Sequence, residues 1–528
     1  MAELYPIVIG ATPSKGGAAE VGNKAWNLMR MAAIGLPVPP AFVLPTVWCQ
    51  RAQRANEPAL REALAKGIAM LETANGMGFG ATHRPLLVSV RSGAAVSMPG
   101  MMETVLDVGL NAETVEGLIR LTGNPRLAWD SYRRLVQGYA EVVANLPTAP
   151  FDALVAEALE RVGAENEREL DHRDLRALTK AMLDCYRTLS GKAFPANPQE
   201  QLVGAAAAVF RSWSASKAIS YRRLNGIGDE AGTAVTVQTM VYGNAGGMSG
   251  AGVAFTRNPA TGVRELYFDF QFNAQGDDVV AGRQKLRDNE RLRVVMPAVW
   301  ARLHDICHEL EVLFGDAQDF EFTVQSGVLF LLQARRAKRT DWAALAIAVD
   351  MVEEGLLTPV DALARLDGID VDAVVRTSFA LPEPDTLAVA QVAGMGVVSG
   401  AVALDPDAVK RLTEAGTPAI LVRRETVTTD IEGMALAAGI LTGSGGRTSH
   451  AAVVARQLGK VCLVGCPGLD VDLNHRQCRI GATVLKEGDF LSLNGNTGAV
   501  HLGRLTPLTE RPERALAAIT AWRHAAAA

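Results

Sequence analysis

Cysteine is scarce in this sequence. Its 528 residues include six, Cys49, Cys185, Cys307, Cys462, Cys466 and Cys478. That is too few for a disulfide framework, and they lack the C-x-x-C spacing of a zinc site. Reduced thiols in a cytoplasm are therefore expected. A basic excess is lacking too: the formal net charge is -5 and the pI lies near 6.0. Nothing is left over to neutralise a nucleic-acid backbone, so nucleic acid is not an expected partner. No run of about 18 apolar residues occurs. The opening MAELYPIVIG has neither the basic flank nor the long apolar stretch of a leader, so no membrane association is expected. No internal repeat is found. What is present, 48% hydrophobic and 21% charged residues, is the balance of an ordinary packed protein. The length exceeds the roughly 100–200 residues that one domain usually fills, so several domains are expected.

Residues 1–340 mix β-branched runs with helical periods. PLLVSV (85–90), GTAVTVQTMVYG (232–243) and VLFLLQ (328–333) read as strands, whereas AETVEGLIRLTG (112–123) and the stretch 167–191 read as scaffold helices, an α+β pattern. Residues 341–380 are strongly helical apart from one proline and read as a connector. From 381 to 505, short apolar strands and turns alternate with one helix, as in a compact α/β domain, and 506–528 read as a helical tail.

The strongest chemical feature is GGRTSHAAVVARQLGKVCLVGC (445–466). Two glycines lead to Thr448 and Ser449, either able to cap a helix, with His450 in its first turn. A helix N-terminus disfavours imidazolium, leaving His450 neutral and nucleophilic, and its free N–H groups can bind phosphate oxygens. On spacing alone, such a histidine can equally be a capping or surface residue.

Elsewhere, Arg91 offers a planar fork for phosphate, and the loop from Ser92 to Met102, with Gly93 and Gly100, lets backbone N–H groups approach a polyphosphate. In QDFEFTVQSGVLFLLQARRAKR (318–339), Asp319 and Glu321 lie two apart in a strand, so both carboxylates share a face and can meet Mg²⁺. Gln333 and Arg335 repeat that spacing on the next strand. The glycines from Gly243 to Gly252 do not follow the order of a dinucleotide fingerprint and read as turn and strand backbone. His304 and His308 are spaced i, i+4 like zinc ligands, but Asp305 stands where the general base of that motif is Glu. Cys462 and Cys466 read as core.

The 445–466 segment resembles the phosphohistidine signature of the pyruvate, phosphate dikinase family through G-G-x-T-S-H-A-A-V-V-A-R, and less closely that of phosphoenolpyruvate synthase. The resemblance runs over about 8–505. It includes GNKAWNLMRMAAIGLPVPPAF (22–42), LLVSVRSGAAVSMPGMMETVLDVGLN (86–111), GNPRLAWDSYRRLVQGYAEVV (123–143) and 232–262, and the second of these favours a dikinase over a synthase. It implies an ATP-grasp-like nucleotide-binding domain followed by a swivelling β/α phosphohistidine domain. It further implies that His450 carries the phosphoryl group covalently, that Lys24, Arg91, Gly100, Arg134, Gln333 and Arg335 bind nucleotide or phosphate, and that Asp319 and Glu321 bind metal. ATP and inorganic phosphate are the implied substrates, Mg²⁺ the implied cofactor, and the 340–385 region the hinge.

Three departures stand out. Arg447 occupies the position before Thr-Ser-His where the family usually has Met, Asp277 stands where Glu is usual, and these 528 residues are expected to hold no third, barrel-type domain. The expectation is an ATP-using half that passes phosphate to pyruvate on a separate barrel-type subunit, with a homodimer possible. A non-pyruvate acceptor such as a phenol, or a non-catalytic regulatory homologue, are the alternatives.

Overall fold

A computed structural model of the chain describes residues 4–13, 16–53, 57–96, 98, 103–276, 287–380, 383–445 and 450–527. Gly100, Asp277, Arg447, Thr448 and Ser449 lie outside the described residues. Among the described residues no helix is long and apolar enough to cross a membrane.

Two antiparallel sheets organise the first 340 residues. One has the order Tyr5–Ile7, Ala41–Leu44, Ala234–Thr239, Val88–Gly93, Thr104–Val108. The other runs Val328–Arg336, Gln318–Gln325, Gly250–Phe255, Tyr267–Phe272. Strand alternation assigns each sheet a dry face. In Ala234–Thr239, Val235 and Val237 enter a core with Leu118, Leu135, Leu178 and Phe210 from the surrounding helices. Polar Thr236 and Gln238 therefore take the opposite face, where both are still buried. In Gln318–Gln325, Phe320, Phe322 and Val324 enter a second core with Leu28, Met31, Leu303 and Ile306, which sends Asp319, Glu321 and Thr323 to the other face.

Residues 341–380 and the tail are one packed unit. Helices Asp341–Glu353 and Pro359–Arg365 bury Leu345, Ala348 and Ala362 against Ala515 and Ile519 of the C-terminal helix Glu513–Ala527. Just before that helix, Pro507–Glu510 pairs antiparallel with Arg376–Phe379. Two buried ion clusters tie this unit to the second sheet. Arg257, 0% exposed, bonds both oxygens of Glu311 and both of Glu354 at 2.8–3.0 Å. Asp316 receives Arg336, Arg339 and Arg365 at 2.7, 2.6 and 3.3 Å.

Between those paired strands lies an eight-stranded mixed sheet whose centre, Val397–Ala403, Ala419–Arg423, Gly439–Thr442 and Val461–Val464, is parallel. The sequence suggested one helix here; helices Pro406–Glu414 and Ile431–Leu436 join the one that starts at His450. The first is set by local chemistry: Asp405 caps Ala408 N–H and Pro406 occupies the first helical position. The whole is an ATP-grasp-like pair of sheets followed by a β/α domain.

Candidate functional site

The faces of the two sheets that avoid the cores meet over a cleft lined by Ser89, Arg91, Gln238, Gly252, Glu321 and Leu332. Its volume is about 140 Å³. Two features of the backbone deliver charged groups to it.

The first is a β-bulge. Asp319 pairs with Arg335 and Glu321 with Gln333, but Phe322 pairs with Leu331, so Leu332 is the extra residue. Leu329 and Leu331 point into the core. Strict alternation would bury Gln333 and Arg335 among them, and the bulge moves the pair to the cleft face. It also frees the Leu332 carbonyl, which lies 3.5 Å from Arg91 Nη1.

The second is a close backbone contact. Gly22, at φ +80°, begins helix Asn23–Ala33, and a Cβ there would lie 2.3 Å from the Gly93 carbonyl oxygen. Glycine at 22 is thus required twice, by conformation and by space. Asn23 N–H donates to Ala94 O at 2.9 Å, so the helix carrying Lys24 starts against the end of the strand carrying Arg91. Asn27 Nδ2, one turn on, donates to Ala334 O and fixes the same helix to the Arg335 strand.

Lys24, Arg91, Glu321 and Arg335 consequently share one field. Burial, followed by the like charges of Arg91 and Arg335, pushes the Lys24 ammonium below its usual pKa, and Glu321 opposes the fall. Burial likewise raises the Asp319 carboxyl above the ordinary aspartate value against the pull of Arg335. Arg335 Nε holds Asp319 Oδ2 at 2.8 Å, while Oδ1 is buried without a partner. Such an oxygen is costly unless a donor or cation completes it. Among the described residues no group of three or more His, Cys, Asp or Glu could hold a metal alone. An Asp–Glu pair with one open oxygen fits Mg²⁺, which takes few carboxylates and fills its shell with phosphate and water.

Arg134 is not in this cleft. It lines a separate one with Arg126, Asp130, Glu167 and Arg168, where its Nε donates to Asp130 Oδ2 at 3.0 Å. His304 sets its ring against Trp300 on helix Pro297–Phe314, 5.1 Å between centroids, and His308 is exposed on the same helix. Cys462 and Cys466 are buried, and burial lifts the Cys466 thiol to about 11. His450 opens the eight-residue helix His450–Gln457 between two parallel strands, its Ala451, Ala452 and Ala455 packed on Cys462 and Val464.

Residues 57–300 match the family model for the pyruvate phosphate dikinase AMP/ATP-binding domain, and residues 416–498 that of the PEP-utilising enzyme mobile domain. The chain is 43% identical over 490 residues to pyruvate, phosphate dikinase of Clostridium symbiosum, an alignment covering 92% of this chain and 56% of that protein. Identity is 43% over 490 residues, 92% and 52%, with the chloroplastic enzyme 1 of Zea mays. With the Rhizobium meliloti enzyme it is 40% over 521 residues, 94% and 58%. The chain belongs to the pyruvate, phosphate dikinase family. It spans about half the length of the curated relatives it matches.

Sequence reasoning missed the residues that support the charged groups. Gln238 and the Leu332 carbonyl both accept from Arg91. The available signal was the polar pair Thr236 and Gln238 set between valines in a strand. Asp316 and Arg257, which hold the second sheet to residues 341–380, gave no comparable signal.

Proposed function

We propose that this chain is the ATP-using part of a dikinase-type phosphotransferase, with ATP bound in the cleft between the two sheets and His450 as the group phosphorylated. The observation that carries the reading is the field that Arg91, Glu321 and Arg335 share with Lys24, beside Asp319, which Glu321 and Arg335 also act on and whose Oδ1 is unpartnered. Lys24 and Arg91 bind phosphate oxygens, Gln333 and Arg335 complete the phosphate wall, and Asp319 with Glu321 hold Mg²⁺. When bound, the ion neutralises the phosphate charges. Gly100, outside the described residues, is assigned to the nucleotide from the sequence alone, and Arg134 is assigned to inorganic phosphate with Arg126 and Arg168.

In this reading an imidazole nitrogen of His450 attacks the β-phosphorus, the bond from that phosphorus to the α,β-bridging oxygen breaks, and AMP leaves. Inorganic phosphate then takes the terminal phosphoryl group as pyrophosphate, and phosphohistidine remains. Rotation about the unit built from residues 341–380 and the tail carries His450 to the acceptor. The acceptor proposed is pyruvate, as in the relatives' name, held on a barrel-type unit.

The test is incubation with β- and γ-labelled ATP, with and without phosphate. Acid-labile label from both positions is expected without phosphate and from the β position alone with it. His450→Ala is expected to abolish labelling while nucleotide still binds; undiminished labelling of that variant would sink the assignment.

A further inference from the structure

Arg91 serves a phosphate only if its guanidinium is held in place and keeps its charge available. Its hydrogen bonds meet both conditions, since they go to neutral acceptors. Nη1 lies 3.5 Å from Gln238 Oε1 and 3.5 Å from Leu332 O. A carboxylate at either position would compete with the phosphate for the same N–H groups.

Gln238 is built for this task. The strand register sets Ser89 opposite Gln238 and Arg91 opposite Thr236, which places Gln238 diagonal to Arg91 on the cleft face. The residue is 2% exposed. Nε2 donates to Pro39 O at 3.3 Å, and this contact fixes the amide so that the oxygen faces Arg91. Pro39 stands just before the strand that pairs with Gln238's own, so the anchor is backbone on both sides.

We infer that Gln238 is a positioning residue: its oriented amide oxygen aims Arg91 at the nucleotide phosphates without neutralising it. The inference rests on the ATP reading of the cleft. It is tested on the full chain with Gln238→Glu and Gln238→Met, measuring binding of MgATP by calorimetry and of adenosine, which carries no phosphate, by ligand-observed NMR. The expected result for Gln238→Glu is at least a tenfold loss of MgATP affinity with adenosine changed less than twofold. That loss, relative to the unmutated chain at each pH, shrinks as pH falls and the new carboxyl takes up a proton. Gln238→Met, close in size but without the acceptor, is expected to lose severalfold for MgATP alone, and it carries the test if the glutamate variant does not fold. Equal losses for MgATP and adenosine, or no loss for either variant, overturn the role. Failure of the folded, unmutated chain to bind MgATP overturns the ATP reading itself and this inference with it.

Discussion

Asp319 shares one carboxylate oxygen with Arg335 and leaves the other buried and open, so the fold carries a charge it only half compensates. The sign follows from its raised pKa. The folded chain favours the protonated form, so ionising Asp319 costs stability once pH passes the unfolded value near 3.8. That cost grows up to the folded value and is then constant. Asp319→Asn is therefore expected to melt no lower than the parent at neutral pH, while its Mg²⁺-dependent ATP cleavage falls at least tenfold. Thermal melts and initial rates check the two halves. In the parent, Mg²⁺ affinity is expected to weaken as pH drops into that raised window, earlier than an ordinary aspartate would allow. Placement at this scale was legible where spacing and residue type coincide, as for Asp319 and Glu321 on one strand face. Gln238 was not, because its partners Pro39 and Arg91 are remote in sequence.

Strands carry the site, and the Leu332 bulge shows where reading by period two runs out. Leu329 and Leu331 set an inward phase that, continued, assigns Gln333 to the core; only the extra residue reverses it. A run such as VLFLLQARR gives no local sign of which residue is extra, since the bulge is specified by what Glu321 and Phe322 oppose. Deleting Leu332 leaves Glu321 opposite Gln333 and keeps Leu331 inward. The expectation is a folded chain with severalfold weaker MgATP binding, because Arg91 loses a carbonyl acceptor. Circular dichroism and calorimetry decide it; complete loss of folding would show that the bulge is a requirement of the sheet itself. The buried Arg257 is the opposite case, a side chain outside the cleft that joins elements through ion pairs to Glu311 and Glu354. Burial by itself would lower its pKa, but its bonds to Glu311 and Glu354 raise it. Arg257→Ala strands Glu311, which is 1% exposed, and is expected to cost about 3–5 kcal/mol by denaturant titration.

At the scale of the whole molecule, the family signature at 445–466 and the paired strands that line the cleft could be read ahead of the coordinates. The return of the tail could not. Nothing in RPERALAAITAWRHAAAA names Ala344 or Leu366 as neighbours, because a short helix rich in alanine suits many partners; the packing goes with a strand pairing of Phe379 and Pro507 that is remote in sequence. That pairing has a topological consequence. The chain leaves for the eight-stranded sheet and comes back from it through adjacent strands of one ribbon, so the phosphohistidine part is an insertion rather than an appendage. Two tethers side by side allow rotation about the line joining them and resist rotation about others, so the proposed swing of His450 would follow an arc. The two ends of the insertion are also near enough to be rejoined. A turn of a few Gly and Asn residues in place of 380–506 is expected to leave a base that folds alone, binds MgATP like the parent and cannot be phosphorylated.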